Sequence, residues 1–192
     1  MSISVTNVLD ELEAMGEAAL REDLSSFSCD VNVEIEEFIK EKAIDFAKRK
    51  LSITYIVSDT DDGAILGYFT LTHKSILLNN EGLSKTVQRK LERYSRMDRN
   101  TGNYMASAFL LAQFGKNYGV GNGNRISGKE LMKLVNDILS DIQRRIGGGI
   151  VYLDCEDKPE LVSFYTNENF KRFDDRFSED DKRNYIQFMR FL

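Results

Sequence analysis

Residues 119–130 read GVGNGNRISGKE, and residues 131–146, LMKLVNDILSDIQRRI, follow directly. In the second stretch Leu131, Val135, Ile138, Leu139, Ile142 and Ile146 recur at spacings of three and four, which predicts a helix with one core face. Gly147, Gly148 and Gly149 end it as a flexible C-cap does. Ser127 and Glu130 stand at the S-x-x-E spacing of a capping box, so the helix should begin directly after Ser127. A helix start exposes unpaired backbone N–H groups and carries about half a positive charge, which together attract an anion such as phosphate. Gly128 lets a ligand approach the first turn closely, and Arg125 and Lys129 add mobile positive charge on either side. The spacing is neither a P-loop nor a dinucleotide fingerprint. Two readings stand at this point: a glycine-rich loop before a capped helix, and a phosphate cradle.

Outward from this stretch, YMASAFLLAQFGKN (104–117) predicts a strand whose long apolar run implies burial on both faces. IVYLDCED (150–157) predicts a second buried strand. With the helix between them the two form a β–α–β unit and should be parallel. KPELVSFYTNEN (158–169) predicts a short helix with Pro159 in its first turn, and YIQFMRFL (185–192) a terminal strand. Earlier, SITYIVSD (52–59) and AILGYFTLTHKSILL (64–78) flank the turn DTDDG, which predicts an antiparallel hairpin. NVEIEEFIKEKAIDFAKRKL (32–51) predicts a helix in which Ile35, Phe38, Ile39, Lys42, Phe46 and Leu51 trace an apolar stripe broken once. Glu34, Glu36 and Glu37 form its wet face. NVLDELEAMGEAALREDLSSF (7–27) is polar and weakly periodic, a short helix and a loop. The class is α/β, or α+β, with one mixed sheet.

No internal repeat or low-complexity linker interrupts the chain, so a single domain over 26–192 follows an N-terminal extension, residues 1–25. A net charge of −5 argues against wholesale coating of nucleic acid, and local patches stay open. Cys29 and Cys155 lie far apart with no CxxC or Cys/His spacing, which implies a reducing compartment, buried thiols and no zinc site. No leader pattern and no membrane-length apolar run is visible, so a cytoplasmic protein without membrane contact is expected.

Between Lys85 and Arg99 six basic residues stand against two acidic ones. Arg89, Arg93 and Arg96 fall at helical spacing, with Tyr94 available for stacking, so this stretch is a candidate RNA-binding face, although at this length a solvated charged helix is the favoured reading. His73 reads as a surface side chain, Cys155 as a small core residue, and Glu156 with Asp157 as a solvated turn.

The order strand, SAFLLAQFGKN; loop and helix, NRISGKELMKLVNDIL; strand, IVYLDCED; then LVSFYTNENF, resembles the GNAT N-acetyltransferases. The first half, with VEIEEFIKEKAIDFAKRKLSITYIV before a hairpin ending in GYFTLTHKSI, resembles their toxin-type branch from bacterial toxin–antitoxin pairs. The resemblance runs from about Phe27 to Leu192, and LDCED followed by LVSFYTNENF is its most specific part. It implies a GNAT-like fold and acetyl-CoA as donor. The family's loop, Q/R-x-x-G-x-G/A, matches here only at Gly128, with Ile126 in place of its first glycine and Gly123 in place of Gln/Arg.

By position, backbone groups of Arg125, Ile126, Ser127, Gly128, Lys129 and Glu130 should hold the pyrophosphate. Those of Phe114, Gly115 and Lys116 should pair with the pantetheine arm. Tyr165 matches the family's general acid toward the leaving thiolate, and Asn169 replaces a glycine in the left-handed conformation that asparagine also tolerates. The implied acceptor is a primary amine, of aminoacyl-tRNA in the toxin branch or of a protein or small molecule. An antitoxin and self-association into a homodimer are the further partners to consider. The departures at Gly123 and Ile126 keep one alternative open, a catalytically weak GNAT-like module that binds a protein partner.

Overall fold

The computed structural model describes residues 2–119, 121–122, 125–180 and 182–192. The strands among these are β1 (Ile3–Asn7), β2 (Ile53–Asp59), β3 (Ile65–Asn79), β4 (Met97–Asp98), β5 (Asn103–Lys116), β6 (Ile150–Glu156), β7 (Lys171–Ser178) and β8 (Arg183–Phe191). The helices are α1 (Val8–Met15), α2 (Glu17–Ser25), α3 (Val33–Glu37), α4 (Ala43–Lys48), α5 (Lys85–Leu91), α6 (Gly128–Ile146) and α7 (Pro159–Asn167). The chain divides into two compact units, residues 1–72 with 111–139 and residues 73–110 with 140–192.

In the first unit the strands are hydrogen-bonded in the order β1-β2-β3-β5. The hairpin forms as the DTDDG turn predicts: β2 and β3 are antiparallel, with Ile53 opposite Leu71. Residues 65–71 of β3 are buried without alternation, which requires cover on both faces, and Leu131 of α6 packs against Gly67. Val8, Leu20, Leu24, Phe27, Phe38, Ile39, Ala43, Ile44 and Ala47 pack against Ile56, Ile65 and Tyr68 there. Residues 3–25 therefore form a strand and two helices where the sequence suggests a short helix and a loop. The signal is weak because β1 is half-buried throughout and α2 buries only Leu20 and Leu24.

The broken stripe over 32–51 has a specific cause. Between α3 and α4 the chain makes a π-helical turn, Phe38–Lys42. The extra residue carries the buried pair Phe38 and Ile39 onto the same face as Ala43 and Ile44, five positions later. Lys42 is thereby turned out to solvent and Leu51 is left 42% exposed, so neither belongs to the core face. Glu36 also departs from its wet-face reading: its carboxylate accepts from the Cys29 amide at 2.7 Å and from Lys40 at 2.6 Å.

In the second unit the order is β3-β5-β6-β8-β7, with β4 paired to β5. The β–α–β unit is parallel as expected, Phe109 opposite Val151 and Leu110 opposite Tyr152. β7, KRFDDRFS, is too polar to read as a strand from sequence; it forms the edge of this order, where charge guards unpaired backbone. β5 corrects another expectation. Its residues alternate between buried and exposed, and Met105 is 69% exposed, so only one face of that half is covered. On α6 Leu131, Val135 and Leu139 are buried, whereas Ile146 stands 68% exposed at the last turn, where Gly147 and Gly148 already leave the helix with positive φ.

The mixed α/β fold expected from the sequence is thus present. No helix among the described residues is long and apolar enough to cross a membrane.

Candidate anion-binding site

The site belongs to the first unit and is built where β5 ends and α6 begins. At Gly115 and Gly67 the backbone is packed too closely for side chains: a Cβ on Gly115 would lie 2.3 Å from Ile35, and one on Gly67 2.9 Å from the Gly115 carbonyl oxygen. The Tyr68 hydroxyl donates to the Ile35 carbonyl at 2.6 Å, which fixes α3 over this point.

Asn117, 1% exposed, then ties the strand end to three segments. Its amide nitrogen donates to the Ile65 carbonyl at 2.8 Å. Its side-chain oxygen accepts from the amides of Ser28 at 3.0 Å and Gly119 at 2.9 Å. A buried amide with its partners supplied is rigid, so the glycine-rich loop leaves from a fixed point. Sequence reading missed Asn117, because an asparagine after a strand looks like any turn residue.

The capping box forms in both directions. Glu130 N–H donates to Ser127 Oγ at 3.1 Å, and Ser127 N–H donates to the Glu130 carboxylate at 2.8 Å. These bonds hold the Glu130 carboxyl below the usual carboxylate range. Ile126 and Leu131 occupy the two positions of a hydrophobic staple, and they are 1% and 0% exposed. Ile126, which departs most from the family pattern, is therefore an apolar plug; burying such a side chain contributes about 2 kcal/mol.

The capping box also narrows the anion site. It occupies the amides of Ser127 and Glu130, so the first-turn donors left without intrahelical partners are those of Gly128 and Lys129. Arg125 differs from its reading as mobile charge. Its guanidinium donates to Asp59 and to both oxygens of Asp62, at 2.9 and 3.1 Å. Lys129 is exposed, in keeping with its reading as mobile charge, and Lys116 Nζ lies 5.3 Å from the Tyr118 ring centroid. Gly123 lies outside the described residues.

Tyr165 belongs to the second unit, on the last turn of α7. That helix ends in a Schellman motif: Phe170 N–H donates to the Tyr165 carbonyl and Asn169 N–H to that of Thr166, each at 3.0 Å. Asn169 takes the left-handed conformation, φ 65°, as its place in the pattern requires. The motif brings Phe170 back onto Tyr165, ring centroids 5.8 Å apart, and Phe164 stands edge-on to the same ring at 5.1 Å. Burial pushes the Tyr165 phenol well above the usual tyrosine range, and the nearby Cys155 adds to the shift. Cys155 is buried as expected, its thiol pushed up to about 12 chiefly by desolvation.

The basic stretch changes form. α5 stops at Leu91, so Arg93 lies in the following turn and Arg96 just before β4. Arg89, Arg93 and Arg96 are exposed but share no helical face. Tyr94 stacks on Phe191 at 6.1 Å and lies against Gly149, so its ring is engaged within the unit. His73 is exposed, as predicted, with Ser107 Oγ 2.9 Å from Nε2. Glu156 pairs with Lys158 at 2.8 Å in the turn after β6.

No family model and no curated protein matches the sequence. Solved structures do match the fold. AtaT complexed with acetyl-methionyl-tRNAfMet superposes with a TM-score of 0.64 at 14% identity, over 96% of this chain and 94% of that one. A tyrosine-to-phenylalanine mutant of KacT gives 0.64 at 16% identity, over 97% and 94%. AtaTR bound with AcCoA gives 0.62 at 13% identity, over 98% and 92%. This likeness establishes the fold: the chain has the GNAT architecture of the toxins AtaT and KacT, as the sequence resemblance implies.

Proposed function

We propose that this chain is a cytoplasmic acetyl-CoA-dependent N-acetyltransferase whose acceptor is the amine of an aminoacyl-tRNA, a toxin held in check by an antitoxin. The observation that carries the proposal is the entry to α6. A plugged and capped helix start presents the Gly128 and Lys129 amides, in a fold shared with a protein solved with AcCoA. Solved neighbours of that fold also include AtaT with acetyl-methionyl-tRNAfMet, and a KacTA–DNA complex.

The residues fit the donor. A diphosphate needs backbone donors and a positive helix end, and Gly128 and Lys129 supply both. Phe114, Gly115 and Lys116 offer strand backbone to the amide groups of the pantetheine arm. Acetyl-CoA, when bound, supplies the activated acetyl group. Tyr165 matches the family's general acid and is the proposed proton donor to the departing thiolate. Burial raises its pKa, which keeps it protonated and makes it a weaker acid, so the transfer relies on positioning against the thiolate. Arg89, Arg93 and Arg96 offer exposed positive charge to tRNA phosphates.

One observation favours the alternative, a GNAT-like module that binds a protein partner: the Glu130 carboxylate occupies the Ser127 amide, beside the place a pyrophosphate would take. Incubation with radiolabelled acetyl-CoA and charged tRNAs, peptides or polyamines separates the two. Label on the amine of charged tRNA is the expected result. Label on peptides or polyamines alone moves the acceptor, and label on nothing, with a protein partner still bound, leaves the module.

A further inference from the structure

We infer that Arg125 is a positioning residue, whose guanidinium latches the entry of α6 to the β2–β3 turn and thereby fixes the Gly128 and Lys129 amides for a diphosphate. The inference rests on the donor site proposed above. A basic residue beside a phosphate site is ordinarily read as a ligand of the phosphate. Here the geometry assigns the charge elsewhere.

Each carboxylate of the turn divides its oxygens between two tasks. Asp59 Oδ1 accepts from the Asp61 amide at 2.9 Å, while Oδ2 takes Arg125. Asp62 Oδ1 accepts from the Ala64 amide at 3.0 Å, and both of its oxygens face the Arg125 fork. The same two acids therefore shape the hairpin turn and hold the arginine. Asp59 is only 3% exposed, so withdrawing Arg125 toward a ligand would leave a buried carboxylate without its counter-charge, a costly state.

The main chain supports the latch. Arg125 N–H donates to the Asn122 carbonyl at 3.0 Å, and Asn122 N–H to that of Gly119 at 2.9 Å. Next along the chain, Ile126 is sunk in the core. Successive residues thus grip opposite sides, an ion pair on the turn and an apolar plug beneath, immediately before the capping box. A planar fork on a carboxylate fixes direction as well as distance, which a point charge does not.

Calorimetric titration of acetyl-CoA into the full chain and its variants tests the latch. We expect Arg125→Gln to weaken binding about tenfold and Asp62→Asn about threefold, with the double variant no weaker than Arg125→Gln alone, because both break one interaction. Arg125→Lys, which keeps the charge and loses the fork, should fall between the wild type and Arg125→Gln. Thermal melts confirm that each variant is folded, and Asp62→Asn alone suffices if Arg125→Gln is not. If Arg125 instead touched the phosphate, Asp62→Asn would tighten binding, and adding Arg125→Gln to Asp62→Asn would cost about the full tenfold rather than the roughly threefold that the latch allows. That outcome overturns the inference, as do variants that bind like the wild type. A folded wild type that binds no acetyl-CoA overturns the donor-site reading itself and the inference with it.

Discussion

The start of α6 and the end of α7 are both helix termini closed by hydrogen-bonded caps, and the two caps serve opposite ends. At α6 the capping box and the buried Ile126 fix a turn whose remaining amides face outward. At α7 the Schellman motif folds Phe170 back onto Tyr165 and removes its ring from water. One terminus displays donors; the other shelters a proton. The lesson is that a cap decides more than where a helix stops: it decides which backbone groups remain for a ligand and what surrounds the side chains of the last turn.

The contrast breaks most sharply at the phenol. Tyr165→Phe should lower kcat at least about 100-fold, the worth of a positioned proton donor, while the Kd for acetyl-CoA measured by calorimetry stays as in the wild type. Unaltered turnover removes Tyr165 from the chemistry. Next in size is the close approach beneath the α6 entry. Gly115→Ala places a methyl against Ile35 and should destabilise the chain by about 1–3 kcal/mol, read as a lower urea midpoint with unchanged slope. At the α7 terminus, Asn169→Ala forces a less tolerant residue into positive φ and should cost about 1 kcal/mol, whereas Asn169→Gly should be close to neutral. The smallest effect falls on the capping box. Glu130→Gln keeps an acceptor for the Ser127 amide and removes a negative charge next to the proposed diphosphate site, so acetyl-CoA should bind about threefold tighter. Weaker binding would show that the carboxylate is needed to hold the turn.

The elements that carry the site are the ones the sequence displays openly. Ser127 and Glu130 announce the start of α6, the 3–4 spacing of its apolar residues announces its face, and Asn169 marks the left-handed turn after Tyr165. What stays hidden has physical causes. The π-turn at Phe38–Lys42 shifts the helical period by one residue, which a regular template reads only as a break. β7 is an edge strand whose charge masks its pairing. Asp59 and Asp62 look like ordinary turn residues, and only the fold brings Arg125, distant in the chain, onto them. The same separation explains why Arg125 reads as free charge in the sequence and is ion-paired in the structure. Arg93 and Arg96 err in the other direction: helical spacing persists in the sequence after Leu91, where the helix has already ended.

The central claim is that the first turn of α6 holds the diphosphate of acetyl-CoA, and amide chemical shifts report on it directly. In a 15N-labelled chain titrated with acetyl-CoA, the Gly128 and Lys129 amide resonances should move furthest, saturably, with Ser127 and Glu130 following less. Saturable binding that leaves Gly128 and Lys129 unmoved, or no binding at millimolar acetyl-CoA, would contradict the account.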